Sequence, residues 1–109
     1  MSALLRNEER KEKEIEVRIK EADALRKLGG TYLKGLREQR SLKQRELAHL
    51  LDILYYTKIS AIENGRERIS EDLVEPYGKA LKVPNMHEFT MQMIKFFWPH
   101  LYKPLNSDD

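Results

Sequence analysis

Residues 36–70 read LREQRSLKQRELAHLLDILYYTKISAIENGRERIS, and the spacing of apolar side chains in this stretch is helical throughout. Thr31 can cap a first helix that carries Leu33, Leu36 and Arg40, and Ser41-Leu42 interrupts it. The pattern predicts a second helix from about Lys43 to Leu51, with Leu47, Ala48 and Leu51 on one face. Asp52 to Tyr55 is a short connection. A third helix follows from about Tyr56 to Asn64, with Ile59 and Ile62 turned inward. Gly65 can take the left-handed conformation that ends it. Ser70 then caps a fourth helix with Leu73, Val74, Tyr77, Ala80 and Leu81 inward.

Two short helices joined by a tight connection, with this apolar spacing, can form a helix-turn-helix. The small Ala48 lets the two helices approach, and Ile59 and Ile62 anchor the second one to the core. Its other face then projects outward, as a helix must if it is to enter a DNA major groove.

Outward from this stretch, glycine and proline divide the chain. Gly29-Gly30 is expected to end a first segment that otherwise holds neither residue, Pro84-Asn85 marks a second break, and Pro99 is expected to stop the last helix before a short tail ending Ser107-Asp108-Asp109. The expected organisation is an N-terminal charged helix over 1–30, a helical domain over 31–83, and a C-terminal helix and tail over 84–109. No strand-like alternation occurs, so the chain is expected to be all-α.

The 109 residues suit one domain, which typically holds about 100–150. No apolar run is long enough for a membrane span, which needs about 18 residues, and the first residues have no apolar secretory core. There is no cysteine, which excludes disulfides, thiolate zinc sites and cysteine nucleophiles and fits a cytoplasmic compartment. His49, His87 and His100 have neither metal spacing nor a paired nucleophile, so no metal, cofactor or catalytic residue is expected. A net charge of +2 does not advertise a nucleic-acid binder. Its distribution does more: from Lys34 to Arg68 there are 8 basic residues against 5 acidic ones, whereas Glu71, Asp72 and Glu75 belong to the fourth helix.

The matching pieces Leu36-Arg37, Arg40, Gln44, Glu46-Leu47-Ala48, Ile59-Ser60, Ile62-Glu63-Asn64-Gly65-Arg66 and Ala80-Leu81-Lys82-Val83 stand in the order seen in the Cro/C1-type (Xre-like) helix-turn-helix regulators of bacteria and phages. The chain resembles that family over about half its length. The resemblance implies a lambda-repressor-like helical bundle with an added N-terminal helix and an aromatic-rich C-terminal helix. Two departures stand out. Asp52 occupies the turn position where the family usually has glycine, and Asp tolerates the left-handed conformation better than most residues. The connection after it is also one residue longer than in the shortest members.

The resemblance also implies roles. Arg37 would pair with Glu63 as a structural ion pair. Gln44, flanked by Lys43 and Arg45, would reach phosphate. Tyr55, Tyr56, Thr57, Lys58, Ser60 and Ala61 would face DNA from the third helix, with a thymine methyl meeting Thr57 or Ala61 and Lys58 meeting guanine or phosphate. Tyr55 lies either on the DNA backbone or in the core. Asn64, Arg66 and Arg68 would meet phosphates in the loop that follows. No Arg, Asn or Gln occurs from Tyr55 to Ala61.

The flanks invite partners. Ile15, Ile19, Ala22, Leu25 and Leu28 form one stripe, supported by opposite charges at Glu14–Arg18 and Glu16–Lys20. The stripe packs either on its own domain or on a second subunit. Residues 6–14 are almost wholly charged and are expected to fray unless bound. Asn85 with Glu88 reads as a capping pair. The helix beyond holds Phe89, Met93, Phe96, Phe97 and Trp98, expected at a homodimer contact, the alternative being a monomer that closes its own core. The function expected is a transcriptional regulator binding double-stranded DNA as a homodimer. The alternative is an antitoxin or adaptor that binds another protein through residues 1–28 or the C-terminal helix.

Overall fold

The computed structural model describes residues 3–105, so the expected Ser107-Asp108-Asp109 tail lies outside the described residues. The described residues form six helices in an all-α fold: α1 (Ala3–Gln39), α2 (Gln44–Leu50), α3 (Thr57–Glu63), α4 (Glu71–Ala80), α5 (Met86–Phe97) and α6 (Pro99–Leu105). At 1.5 Å per residue α1 is about 55 Å long, and it sets the long dimension of a molecule measuring 59 × 35 × 21 Å. Its C-terminal half packs against α3 and α5. Its N-terminal half runs clear of the bundle, with residues 6–21 all exposed.

The central core joins Leu33 of α1, Leu47 of α2, Ile59 and Ile62 of α3, Tyr77 of α4, and Phe89 and Met93 of α5. Ile69, in the loop before α4, completes it with no exposed surface. The inward residues expected for α2, α3 and α4 are those buried or half-buried here.

The Gly29-Gly30 pair does not break the chain. Both glycines lie buried inside α1, and the Thr31 hydroxyl caps nothing: it donates back to the Lys27 carbonyl at 3.1 Å. The glycines are required by packing. A Cβ on Gly29 would stand 2.7 Å from Phe96 Cβ, and one on Gly30 would fall against the carbonyl oxygens of Ile62 and Glu63. The Phe96 and Phe97 side chains of α5 and the backbone of α3 therefore approach α1 where it has no side chains. Residues 6–14, expected to fray, continue α1; all but Asn7 are strong helix formers, and Glu14 at their end reaches Arg18 at 3.8 Å.

Four helices end in the same way. Ser41, Asp52, Gly65 and Lys82 follow α1, α2, α3 and α4 with φ of 56, 55, 74 and 52°. Each is bracketed by the two reversed hydrogen bonds of a Schellman motif, such as Asp52 N to His49 O (3.2 Å) and Ile53 N to Ala48 O (2.8 Å). Asp52 thus does the work of the missing glycine. At Gly65 a side chain would also collide with Lys27, whose Cα lies 2.8 Å from the position a Cβ would take.

At the other end, the Asn85 side chain accepts from Glu88 N at 3.0 Å and caps α5. α5 ends before Pro99 as expected, with Trp98 non-helical, but no plain tail follows: Pro99 opens α6, because proline fits the first position of a helix, where no donor is needed. Phe89, Met93 and Phe97 are 0–2% exposed within the single chain. They close its own core against α1 and α4 and offer no surface to a second copy, which corrects the expectation that they form a dimer contact. Phe96 and Trp98 keep partial exposure.

Two glycines of one helix make a paired test. Gly30→Ala is expected to destabilise the protein by about 1–3 kcal/mol or more, since backbone blocks the added methyl. Gly35→Ala meets nothing within 4 Å and is expected to stabilise it by about 0.5–1 kcal/mol through helix propensity. Urea unfolding of the two variants reads the difference directly.

Candidate nucleic-acid interface

The geometry of the interface starts from a buried ion pair. Arg37 in the last turns of α1 holds Glu63, the final residue of α3, with Nε to Oε2 at 2.7 Å and Nη2 to Oε1 at 2.9 Å. The two side chains are 10% and 1% exposed. Arg37 Nη1 also donates to the Leu42 carbonyl at 2.7 Å, and Gln44 Nε2 donates to Glu63 Oε1 at 3.0 Å. The hydrogen bond to Glu63 pushes the Arg37 pKa up despite burial. α1, α2 and α3 are thereby fixed at one point.

Tyr77 of α4 lies beside this pair, completely buried, and its hydroxyl has no hydrogen-bond partner. Burial, and next the charge of Glu63, push the Tyr77 hydroxyl far above its ordinary value of 10.0.

α2 begins at Gln44, where the Glu46 carboxylate accepts from Lys43 N at 2.9 Å. Its first turn exposes Lys43 and Arg45. Arg45 places its guanidinium 4.9 Å from the centre of the Tyr56 ring, and so bridges the start of α2 to the start of α3. Tyr55 is 70% exposed and Tyr56 39%, so Tyr55 is a surface residue and not part of the core. Thr57 and Lys58 are exposed, and Ser60 and Ala61 half-buried, along the outer side of α3.

The structure brings most of the expected residues together, with their polar groups engaged among themselves. Lys58 Nζ meets Glu67 Oε2 at 3.1 Å, and Asn64 Nδ2 donates to Ser60 Oγ at 3.3 Å. Gln44 is turned to Glu63. Arg66 stays on this side, lining a cleft with Lys58 and Thr57. Arg68 departs: its guanidinium sits 6.0 Å from the centre of the Trp98 ring and lines a separate cleft between α1 and the α5–α6 corner.

Two contributors were not expected. Leu54, in the connection before α3, is 84% exposed; a leucine between two amphipathic helices reads as core, and no sequence signal marks it otherwise. Arg26 of α1 donates to the Gly65 carbonyl at 2.7 Å while pairing with Asp23 at 2.7 Å, and so holds the loop that follows α3.

The model of the helix-turn-helix domain family matches residues 30–88. The chain belongs to the Cro/C1-type helix-turn-helix family. The match spans the end of α1, α2 to α4, and the first turn of α5. The exposed half of α1 and all of α6 lie outside it. No curated protein matches the chain. Among the described residues no helix is long and apolar enough to cross a membrane, and no group of three His, Asp or Glu is placed to hold a metal ion.

Glu63→Ala is expected to lower stability by about 3–5 kcal/mol, because Arg37 would remain buried without its counter-charge; a loss under ~1 kcal/mol in urea unfolding would contradict the role given to the pair. Tyr77→Phe removes a hydroxyl without a partner and is expected to leave stability at pH 7 within about 1 kcal/mol of the parent, or above it. The sign reverses nothing in alkali. The folded Tyr77 pKa is raised, so its contribution is full below the unfolded value of 10.0 and is lost as pH rises through the folded one. Tyr77→Phe should therefore show a shallower fall in its urea midpoint between about pH 9 and pH 11.

Proposed function

We propose that the chain is a sequence-specific transcriptional regulator that binds double-stranded DNA as a homodimer in a bacterial or phage cytoplasm. The observation that carries this reading is the outer face of α3. It is exposed, locked in orientation by the Arg37–Glu63 pair, and flanked by Arg45 in one cleft and Lys58 with Arg66 in the next. A helix presented in this way fits the major groove, with the cations on phosphates. Lys43, Gln44, Arg45, Asn64 and Arg66 position the protein. Tyr55, Tyr56, Thr57, Lys58, Ser60 and Ala61 face the groove.

Two copies related by a two-fold axis would set their recognition helices on half-sites about 34 Å apart. Of the aromatic residues expected at a contact between copies, Phe96 and Trp98 retain surface for it.

One observation favours a second reading, an adaptor or antitoxin in which DNA binding is secondary. Ile15, Val17 and Ile19 are 43, 53 and 55% exposed on the part of α1 that no other element covers. That surface suits a protein partner as well as a second copy.

Selection from a random duplex library with the purified protein, followed by a salt titration, separates the two. The regulator yields an enriched two-fold sequence whose affinity falls steeply with salt. Lys43→Ala and Arg66→Ala are each expected to weaken binding to every sequence alike and to reduce the log–log salt slope by about 1. No enrichment, together with stable binding to another protein, overturns the regulator in favour of the adaptor.

A further inference from the structure

The reading surface is unusual in what it lacks. From Leu54 to Ala61 the chain has no Arg, Asn or Gln, the side chains that form paired hydrogen bonds with guanine or adenine. Three polar side chains near it already have partners within the protein. Lys58 is held by Glu67 at 3.1 Å, Ser60 by Asn64 at 3.3 Å, and Gln44 by Glu63 at 3.0 Å. Beside the hydroxyls of Tyr55, Tyr56 and Thr57, much of what faces outward is apolar or aromatic. Leu54 (84% exposed) and Tyr55 (70%) form a ridge between two clefts that both residues line. Thr57 and Ala61 add methyl groups in the second cleft.

The charges beside the ridge decide what it meets. Arg45 borders one cleft, and Lys58 and Arg66 border the other. Lys58 already has Glu67 as its counter-charge, but a hydrophobic protein surface closing over the ridge would bury Arg45 and Arg66 with no carboxylate among the described residues bonded to either. A duplex suits both parts, because phosphates flank the groove and its floor carries one apolar group, the C5 methyl of thymine.

Resting on the regulator reading above, we infer that this surface reads its operator through thymine methyl groups, with Leu54, Thr57 and Ala61 making the contacts, and not through hydrogen bonds to base edges. Leu54 is a specificity residue of the interface, and the operator half-site carries thymines where the ridge enters the groove. The cations supply affinity that is indifferent to sequence.

The test uses the full-length protein and the duplex enriched from a random library. That duplex is synthesised again with uracil in place of thymine, which removes the methyl and leaves base pairing intact. Affinity should fall about fourfold for each methyl contacted, the worth of one buried carbon group. Leu54→Ala and Thr57→Ser should each erase the thymine preference at one position and leave the salt slope unchanged. Leu54 is exposed enough for urea unfolding of its variant to match the parent. An enriched duplex that binds equally well with uracil, but loses affinity when 7-deazaguanine replaces guanine, overturns the inference and leaves the regulator intact. Failure to enrich any duplex overturns the regulator reading and the inference with it.

Discussion

Arg37 and Glu63 face each other across α1 and α3, almost wholly buried, and two further groups depend on where they sit. The guanidinium also holds the Leu42 carbonyl, where the chain turns from α1 toward α2, and the carboxylate also holds Gln44, the first residue of α2. A buried ion pair adds little to stability over a well-packed apolar pair. Its contribution here is direction. Leucine and isoleucine contacts tolerate rotation of one helix on another, whereas two parallel N–H···O bonds do not. The orientation of α3, on which any reading of DNA depends, follows from that difference.

Apolar packing supplies the rest. Ile59 and Ile62 hold α3 down on the core, and Tyr77 and Phe89 fill the space behind it. The glycine pair in α1 lets the α3 backbone and the Phe96 and Phe97 side chains of α5 pack directly on the α1 backbone. Each helix from α1 to α4 then ends through the same left-handed residue and reversed hydrogen bonds, although only one of the four residues is glycine. The turns are thus set by their hydrogen-bond pattern and by the burial of the helices they join. Ser41, Asp52 and Lys82 accept the backbone strain.

What could be read in the sequence follows from which signals are local. α2, α3 and α5 run to within about two residues of their expected limits, because a cap such as Asn85 or a stop such as Gly65 acts on its own neighbours. The Arg37–Glu63 pair was legible through family resemblance, since its partners are 26 residues apart. Gly29-Gly30 was misread because a glycine that ends a helix and one that admits a neighbouring backbone look alike until the neighbour is known. Phe89, Met93 and Phe97 were misread for a related reason: an apolar helix shows that it must be covered, not by what. The outer face of α3 was largely legible, but the exposure of Leu54 and the turn of Arg68 toward Trp98 arise from tertiary contacts that leave no trace in spacing.

The continuity of α1 through its glycine pair has a mechanical consequence. One unbroken helix carries both the exposed stretch of residues 6–21 and Arg37, and it bears on α3 at Gly30 with no side chain between the two backbones. A joint cushioned by flexible side chains would absorb a tilt of the protruding arm. This joint does not. A tilt of the arm near Ile15 therefore bears on the end of α3 through the Gly30 contact, so whatever grips the arm also grips α3.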